Sequence, residues 1–167
     1  MEHNTKDFEY FSSLFSYDKI TGNLVRVKNV RSRAKAGDIV GTDHPDGYLS
    51  VEVDSKGYLV HRVVWLLYYG SWPDGMLDHA DGNRKNNKIT NLRLATRAQN
   101  SQNAKLRKDN SSGVKGVSWH KHVGKWFVRV QANGKRISVG YFDSFDEAVE
   151  SAKLTRIKLH KEYSCER

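Results

Sequence analysis

The sequence has 167 residues with a formal net charge of +9, and 38% of its residues are hydrophobic, which allows one ordinary domain or two small ones. Its single cysteine, Cys165, excludes a disulfide framework and a cysteine-rich zinc site, so any metal ion has to be bound through oxygen and nitrogen. The longest apolar run, residues 63–69, is far shorter than the roughly 20 residues that cross a bilayer, and the acidic start is not that of a signal peptide, so we expect a cytoplasmic protein without a membrane partner.

The positive charge is concentrated in the C-terminal part of the chain. Residues 1–103 contain 14 Lys and Arg against 12 Asp and Glu, whereas residues 104–167 contain 14 against 7. A basic segment that also carries aromatic residues favours a polyanionic partner, most often nucleic acid, because phosphates attract it regardless of base sequence. A membrane surface is the weaker alternative, since the basic residues fall mainly on predicted strands and not on one amphipathic helix.

Short strands separated by glycine are predicted in the first part of the chain, followed by one helix. Turns are predicted at Asp46-Gly47 and Lys56-Gly57, on either side of an alternating apolar run. Apolar residues then recur at helical spacing from His61, and Gly70 is predicted to end that helix. The predicted strands cover residues 23–27, 39–41 and 48–53.

A polar, asparagine-rich stretch follows at residues 78–95, and its composition indicates a loop. Thr96 is predicted to cap a further short helix that runs to about Lys105. Residues 105–112 have lost apolar periodicity and are predicted to form a charged linker. A domain boundary therefore belongs there.

Beyond the linker, the pattern predicts a small sheet followed by one helix. Asn133-Gly134 indicates a hairpin turn between the last two strands. Ser144, with Glu147 three residues later, forms a predicted capping box, and Ala148 and Ala152 give a small apolar stripe with which the helix can pack on the sheet. The three predicted strands cover residues 113–119, 125–132 and 135–142.

One segment carries a dense set of residues typical of nuclease chemistry. It reads DHADGNRKNNKITNLR from Asp78 to Arg93 and continues with Thr96, Gln99, Asn100 and Asn103. This pattern resembles the HNH (ββα-metal) endonucleases, specifically their phage and intron-encoded homing type, over about residues 47–103. The resemblance implies a ββα-metal fold and the cleavage of DNA.

Phosphodiester hydrolysis needs a base that deprotonates water and a cation that neutralises charge on the phosphate and the leaving oxygen. His79, neutral near pH 7, is the candidate base, and Asp78, pointing the other way on the same strand, is the candidate ligand of Mg²⁺ or Mn²⁺. The resemblance implies that Asn91, 12 residues after His79, ties down the loop and orients the base. It also implies that Asn100, 21 residues after His79, provides the second ligand from a facing helix. Because the family often has His in place of Asn100, a hard ion such as Mg²⁺ is favoured over Zn²⁺.

Ordinary structural roles are the alternative for these residue types. Loops rich in Asn also form Asx turns, and a lone His in such a loop is usually structural, but the combined spacing favours catalysis. We interpret Asn83, Asn86 and Asn87 as loop-forming residues, and His61 as a packing or phosphate-contacting residue.

The C-terminal segment has a resemblance of its own. Residues 112–119, Lys125-Trp126, residues 140–143 and Glu147-Ala148 look like parts of an AP2 domain, a three-stranded sheet backed by a helix, over about residues 112–162. The family places the sheet face opposite the helix in the major groove of DNA. Trp126, Val128 and Val130 are predicted to face the helix. The predicted DNA-binding residues are Lys115, Ser118, Lys121, Lys125, Arg129, Gln131 and Arg136, with Arg129 and Gln131 suited to base edges and the lysines and Arg136 to phosphates.

The fold class predicted from these patterns is α+β. It comprises an HNH nuclease domain at residues 1–103 with its ββα-metal core at about 74–103, a linker at 104–111, and an AP2-like domain, a three-stranded antiparallel sheet plus one helix, at 112–167. The expected function is site-directed cleavage of double-stranded DNA by a phage-encoded homing endonuclease in the cytoplasm of its bacterial host, leaving 5′-phosphate and 3′-hydroxyl ends as the family implies. A homodimer is an open option, because one active site cuts one strand per visit. The alternatives are a non-enzymatic AP2-type regulator with a degenerate HNH domain and a nonspecific phage nuclease.

Overall fold

The computed structural model describes residues 2–30, 34–103, 106, 109–132 and 134–160, with the backbone alone for residues 2–4 and 101–103. The chain divides into two compact units, residues 1–94 and residues 95–167. Within these described ranges, every helix is too short or too polar to span a membrane. The mixture of small antiparallel sheets and helices confirms the predicted α+β class.

The first unit begins with a helix that the sequence analysis did not predict, α1 (Glu2–Leu14). Phe11 is buried on its inner side, and Phe15, directly after the helix, continues the same apolar surface. Asp7 accepts a hydrogen bond from the indole Nε1 of Trp72 at 2.7 Å, which ties the helix to a distant part of the unit. Too few apolar residues recur in this polar segment for the helical period to be evident in the sequence.

Two three-stranded antiparallel sheets follow. The turn predicted at Lys56-Gly57 is wrong, because these residues begin a strand, and the turn lies at Asp54 and Ser55, which have φ values of 50° and 60°. The turn at Gly47 is confirmed by its φ of 81°. The first sheet contains β1 (Phe15–Tyr17), β2 (Leu24–Arg26) and β3 (Ile39–Val40), and the second contains β4 (Thr42–Asp43), β5 (Leu49–Val53) and β6 (Lys56–Leu59).

The core of this unit forms around α2 (Val60–Tyr69), the helix predicted from His61. Val63, Val64 and Leu66 are fully buried on it, as their helical spacing predicted. Gly70 ends the helix in the left-handed region with a φ of 74° and donates its N–H to the carbonyl of Leu66.

The asparagine-rich stretch contains more regular structure than predicted. A two-stranded sheet of β7 (Met76–His79) and β8 (Leu92–Ala95) flanks a loop that ends in a 3₁₀ turn, Ile89–Asn91. The prediction of a loop over residues 78–95 is therefore wrong at both ends. Leu92 and Ala95 are buried, and this burial stabilises a strand that the polar composition had hidden.

The second unit starts with α3 (Arg97–Asn103), capped as predicted by Thr96. The Thr96 hydroxyl accepts the N–H of Gln99 at 3.2 Å, and the Gln99 side chain accepts the N–H of Thr96 at 2.8 Å. The predicted end of this helix at Lys105 lies outside the described residues.

The remainder of this unit is an antiparallel sheet in the order β11-β10-β9 and one helix. Ser144 accepts backbone N–H groups of Asp146 and Glu147 at 3.2 and 3.5 Å, which confirms it as the helix cap. Gly134 has the positive φ, 76°, of the predicted turn, while Asn133 lies outside the described residues. The elements are β9 (Val117–His120), β10 (Lys125–Ala132), β11 (Lys135–Phe142) and α4 (Phe145–His160), so the second and third strands have their predicted bounds.

The first strand of this sheet begins later than predicted, at Val117. The Ser112 hydroxyl lies 2.7 Å from the carbonyl oxygen of Val117 and closes the preceding residues into a turn. Gly116 has a φ of 84°, and a Cβ there would lie 2.6 Å from the carbonyl oxygen of Arg129. Only glycine allows this turn to pass so close to β10.

Candidate active site and nucleic-acid interface

Strand β7 places Asp78 and His79 side by side, and both side chains are buried, at 5% and 3% exposure. Neighbouring residues on a strand point to opposite sides. Asp78 contacts Arg93 on the paired strand β8, whereas His79 contacts Asn87 in the loop and the rings of Tyr48 and His61. The two candidate functions therefore have separate surroundings.

Asp78 forms a buried ion pair with Arg93. The guanidinium donates to Oδ2 of Asp78 from Nε at 3.0 Å and from Nη2 at 2.9 Å. Such a charged, doubly hydrogen-bonded pair offsets the cost of removing the carboxylate from water. Arg93 had no predicted role, because the pairing of β7 with β8 that places it beside Asp78 was not predicted from the sequence.

His79 is held by a polar contact inside the unit. Its Nε2 lies 3.2 Å from Oδ1 of Asn87, whose side chain is also 3% exposed. Burial lowers the pKa of His79 below its ordinary value of 6.5, and the contacts with Asn87 and with the nearby carboxylates oppose that shift only in part. The imidazole is consequently neutral at pH 7, as a general base must be.

A group of aromatic rings surrounds the imidazole of His79. The ring of His61 stands at 86° to that of His79, with 5.1 Å between their centroids, and Tyr48 lies 5.0 Å from His61 and 5.8 Å from His79. Burial lowers the pKa of His61 to about 3, so His61 is also neutral. The guanidinium of Arg84 lies 4.8 Å from the centre of the Tyr48 ring.

Asn91 organises the loop between the two strands. Its Nδ2 donates to Oδ1 of Asp81 at 2.9 Å and to the carbonyl of Asn86 at 2.8 Å, and its Oδ1 accepts the N–H of Asp81 at 2.9 Å. Burial acts to raise the pKa of Asp81, but the hydrogen bonds from Asn86, Asn83 and Asn91 outweigh it and lower that pKa. Asn91 thus has loop partners, and Asn87 is a loop asparagine that contacts His79.

The N-terminal hairpin supports the same loop from outside. The Tyr17 hydroxyl accepts the N–H of Ile89 at 2.8 Å. Gly22 has a φ of 83°, and a Cβ there would lie 2.8 Å from the backbone nitrogen of Lys88. Residues 17–22 therefore determine where the end of the loop lies.

Asn100 belongs to α3 in the second unit, where its N–H donates to the carbonyl of Thr96 at 2.9 Å. Its role as a metal ligand stays a prediction. Over the described ranges, no three His, Cys, Asp or Glu side chains come together in a way that could hold a metal ion. A metal site at Asp78 would consequently need amide or water oxygens to complete it.

The outer face of the second unit's sheet brings together five of the seven predicted DNA-binding residues. By strand alternation and cross-strand register, these are Ser118, Lys125, Arg129, Gln131 and Arg136. The opposite face carries Val128 and Val130, which are buried as predicted.

The three predicted lysines differ from one another in their surroundings. Lys125 lies on the face but forms an ion pair with Asp143 at 3.0 Å. Lys121 is exposed in the turn after β9. Lys115 precedes the strands, and its carbonyl accepts a hydrogen bond from Arg156 on α4.

The centre of the outer face is aromatic, which the sequence analysis missed. Phe127 and Tyr141 pair across β10 and β11 with 4.9 Å between ring centroids, and His120 lies 5.4 Å from Tyr141. The alternation that places Arg129 on this face also places Phe127 there, so the signal was present in the sequence. Rings of this kind offer apolar contact to bases within a polar interface.

Comparison with known proteins finds matches to two families along the chain. Residues 58–102 match the HNH endonuclease family, and residues 112–162 match the AP2 domain. Protein 3.8 of Escherichia phage T7 is 40% identical over 105 residues, which cover 62% of this chain and 86% of that protein. The chain belongs to the HNH endonuclease family. It is a DNA endonuclease.

Two further proteins are similar to this HNH endonuclease. YosQ of Bacillus subtilis (strain 168), which carries the name of an SPbeta prophage-derived HNH homing endonuclease, is 37% identical over 59 residues, covering 35% of this chain and 34% of YosQ. The solved structure of "DNA binding and cleavage by the HNH homing endonuclease I-HmuI" has a TM-score of 0.41 and 23% identity, and covers 92% of this chain and 89% of that chain.

Proposed function

We propose that this HNH endonuclease hydrolyses phosphodiester bonds of double-stranded DNA at directed sites, using Mg²⁺ or Mn²⁺ and leaving 5′-phosphate and 3′-hydroxyl ends. The observation that carries the proposal is the pair of neighbours on β7, a buried neutral imidazole and a buried carboxylate on opposite sides of one strand. Two neighbouring residues thus provide a base on one side of the strand and a cation ligand on the other.

His79 acts on the attacking water. Its neutral ring takes a proton from the water, the water oxygen forms a bond to phosphorus, and the bond from phosphorus to O3′ breaks. The surrounding rings of Tyr48 and His61 exclude solvent from part of the imidazole and restrict its orientation. The leaving O3′ takes up a proton from solvent to become the 3′-hydroxyl, and the imidazolium releases its proton to solvent.

Asp78 suits a hard cation, because its carboxylate oxygens and an amide oxygen are the donors that Mg²⁺ and Mn²⁺ prefer. We assign Asp78 and Asn100 as the residues that would hold the ion. A bound ion would neutralise charge on the phosphate and the leaving oxygen there. Arg93 keeps the Asp78 carboxylate oriented through Oδ2.

The second unit directs the enzyme to DNA. Its outer face combines Arg129 and Gln131, which suit base edges, with Arg136, which suits phosphate, around the Phe127 and Tyr141 rings. One active site per chain cuts one strand per visit, so a single chain would nick, and a homodimer would cut both strands.

We also propose that the enzyme is of the homing type and acts in the cytoplasm of a bacterial host, encoded by a phage. Support comes from the phage T7 origin of Protein 3.8 and the prophage origin and name of YosQ. A nonspecific nuclease and a DNA-binding regulator without activity are the competing functions.

Mapping of cleavage on both strands of a long phage DNA tests the proposal. Ends at one or a few positions, formed with Mg²⁺ or Mn²⁺ and abolished by EDTA, are the expected result. Ends scattered along the DNA would indicate a nonspecific nuclease, and site-specific binding without cleavage would indicate a regulator. Ligation of the products, which requires 5′-phosphate and 3′-hydroxyl, checks the chemistry of the ends.

A further inference from the structure

We propose that the turn between β1 and β2, residues 18–22, enters the minor groove of DNA beside the cleaved bond, where Ile20 is an apolar wedge that opens a base step. The partner is double-stranded DNA, which offers a stack of bases between two rows of phosphates. This role adds a DNA contact in the first unit, and it rests on the proposed placement of catalysis at β7 and the loop that follows it.

Ile20 lies in the middle of this turn and contributes little to the core. Its side chain is 82% exposed, the highest value among the large apolar side chains of the described residues. A single exposed apolar residue is ordinary on a protein surface, so exposure alone assigns it no function. What distinguishes Ile20 is that the turn is tightly hydrogen-bonded and lies against the loop of the candidate active site.

Asp18 holds the turn in one conformation. Its carboxylate accepts the N–H of Ile20 at 2.9 Å and the hydroxyl of Thr21 at 2.6 Å. Its backbone carbonyl accepts the N–H of Gly22 at 2.8 Å. The hydrogen bond from Thr21, followed by that from Ile20, lowers the pKa of Asp18, so the carboxylate is ionised at pH 7 and keeps both bonds. A turn fixed in this way loses little conformational entropy when it binds.

The same hydrogen bonds determine which kind of DNA contact the turn can make. The hydroxyl of Thr21 donates to Asp18 and also accepts the N–H of Asn23 at 3.3 Å, so the polar side chains of the turn are engaged with one another. Reading of base edges in the major groove needs donors and acceptors that face the DNA. An apolar side chain suits insertion between base pairs from the minor groove, which unstacks and kinks the duplex.

The turn is packed against the loop that contains part of the candidate active site. A Cβ on Gly22 would lie 2.8 Å from the backbone nitrogen of Lys88. Asn87, the preceding residue, has its Oδ1 3.2 Å from Nε2 of His79. A duplex is wide compared with these distances, since its minor groove alone is about 6 Å across. DNA with a phosphate at His79 therefore comes close to the turn as well.

Lysines and tyrosines flank the apolar residue. Lys88 is exposed, and its positive charge also lowers the pKa of Asp18, so its ammonium lies near the turn. The ammonium of Lys19 lies 5.1 Å from the centre of the Tyr68 ring, and Tyr68 and Tyr69 are both exposed. A protein partner could also contact tyrosines, but cations on both sides of an apolar residue match the phosphates that border a groove. The charges favour DNA.

Opening of a base step can be measured with the full-length protein. His79→Ala in EDTA, which leaves the DNA intact, is bound to duplexes that carry the fluorescent adenine analogue aminopurine at successive positions around the mapped cleavage site. Fluorescence should rise at a step beside the cleaved bond. The rise should disappear when Ile20→Ala is added and remain with Ile20→Leu. Ile39→Ala is the matched control, because it removes an exposed side chain of the same type from β3, and it should keep the rise.

Single-turnover cleavage gives a second readout. Ile20→Ala should cut a fully paired duplex on the order of 10-fold more slowly than the wild type, which corresponds to the loss of one apolar contact of this size. Its thermal unfolding should be unchanged, because the side chain is exposed. A mismatch at the opened step should restore much of the rate, since an unpaired base costs less to unstack. A structural defect in the turn would not respond to the mismatch.

The wedge and the proposed function fail differently. Fluorescence that rises at no position, or that rises equally with Ile20→Ala, would overturn the wedge and leave His79 as the base. Altered self-association of Ile20→Ala with unchanged fluorescence would assign the turn to a protein interface and would also overturn it. Folded His79→Ala that cuts at the wild-type rate would contradict the proposed function, while the fluorescence in EDTA would still show whether Ile20 opens the DNA.

Discussion

The imidazole rings of His61 and His79 meet at 86° with 5.1 Å between their centroids. Nδ1 of His61 is buried and has no hydrogen-bond partner within the described ranges of the chain. Neither ring can take up a proton without placing a charge in this enclosed space. The consequence is a dependence of stability on pH.

Acid should destabilise the protein through His61. Its folded pKa of about 3 is below the ordinary value of 6.5, so the unfolded chain binds a proton between these values and the folded chain does not. The contribution of His61 to the unfolding free energy is complete above about pH 6.5 and is lost as the pH falls toward 3. From pH 7 to 4, wild-type protein should lose about 3 kcal/mol more unfolding free energy than His61→Phe, measured by denaturant titration. If the unfolding free energies of the two proteins fell in parallel with pH, His61 would not be the origin of the acid sensitivity.

His79 and Asp78 should fail in different ways when removed. His79→Ala should keep its fold and DNA binding but lose cleavage by about two to four orders of magnitude, because a positioned base is missing. Asp78→Ala should instead weaken the binding of the metal ion, so that raising the concentration of Mg²⁺ or Mn²⁺ restores part of the variant's cleavage rate. Rates measured across a metal titration distinguish the two, and rescue of His79→Ala by metal alone would contradict its role.

The cleavage rate of the wild-type enzyme should already be near its plateau at pH 7. Only neutral imidazole accepts a proton, and burial lowers the pKa of His79 below 6.5, so the rate should rise with pH through a midpoint below 6.5. Single-turnover rates from pH 4.5 to 8 at saturating metal measure the midpoint. A midpoint clearly above 6.5 would mean that another group limits the reaction.

Removing Arg93 should expose the cost of burying Asp78. Arg93→Ala leaves a carboxylate of 5% exposure without its ion-pair partner and should destabilise the protein by about 3 kcal/mol. The double variant Asp78→Asn with Arg93→Ala should be more stable than the sum of the two single losses. Added Mg²⁺ should recover stability in Arg93→Ala and not in the double variant. Additive losses in denaturant titrations would show that the two side chains are not coupled.

Arg129 should distinguish preferred DNA from random DNA. If it contacts a base edge, Arg129→Ala should cost about 1–3 kcal/mol of binding free energy on the preferred site and much less on random DNA. Lys121→Ala, exposed in a turn, should weaken both by similar amounts and reduce the salt dependence. Titrations at several salt concentrations measure both effects, and equal losses for Arg129→Ala on the two DNAs would make it a phosphate contact.

The sequence correctly predicted those elements whose apolar periodicity and terminal residues can be recognised within one short segment. The strand β10 alternates along its length, and α4 begins at the Ser144 cap, so both were placed correctly. The helix α1 was not, because its few apolar residues become significant only through contacts such as that of Phe11 with Trp72, far along the chain.

In the candidate site, too, contacts between residues far apart in the sequence could not be predicted from local patterns. Adjacent Asp78 and His79 could be recognised from the motif, since their chemistry is evident from residue type. The partners Arg93 and Asn87 could not, because an ion pair across β7 and β8 and a contact across a loop depend on the three-dimensional path of the chain.

The support that Tyr17 and Gly22 give to residues 88 and 89 limits how this nuclease can be exchanged between proteins. The family match begins at residue 58. The loop inside the match is nevertheless supported by the β1–β2 hairpin, which ends more than thirty residues before the match begins. A transplanted segment of residues 58–102 would lack that hairpin and would present its loop in many conformations. The transferable cassette therefore runs from that hairpin to the end of the family match, and recombination that joins a new nuclease to a new DNA-binding domain should be tolerated after residue 102 and penalised within residues 15–102.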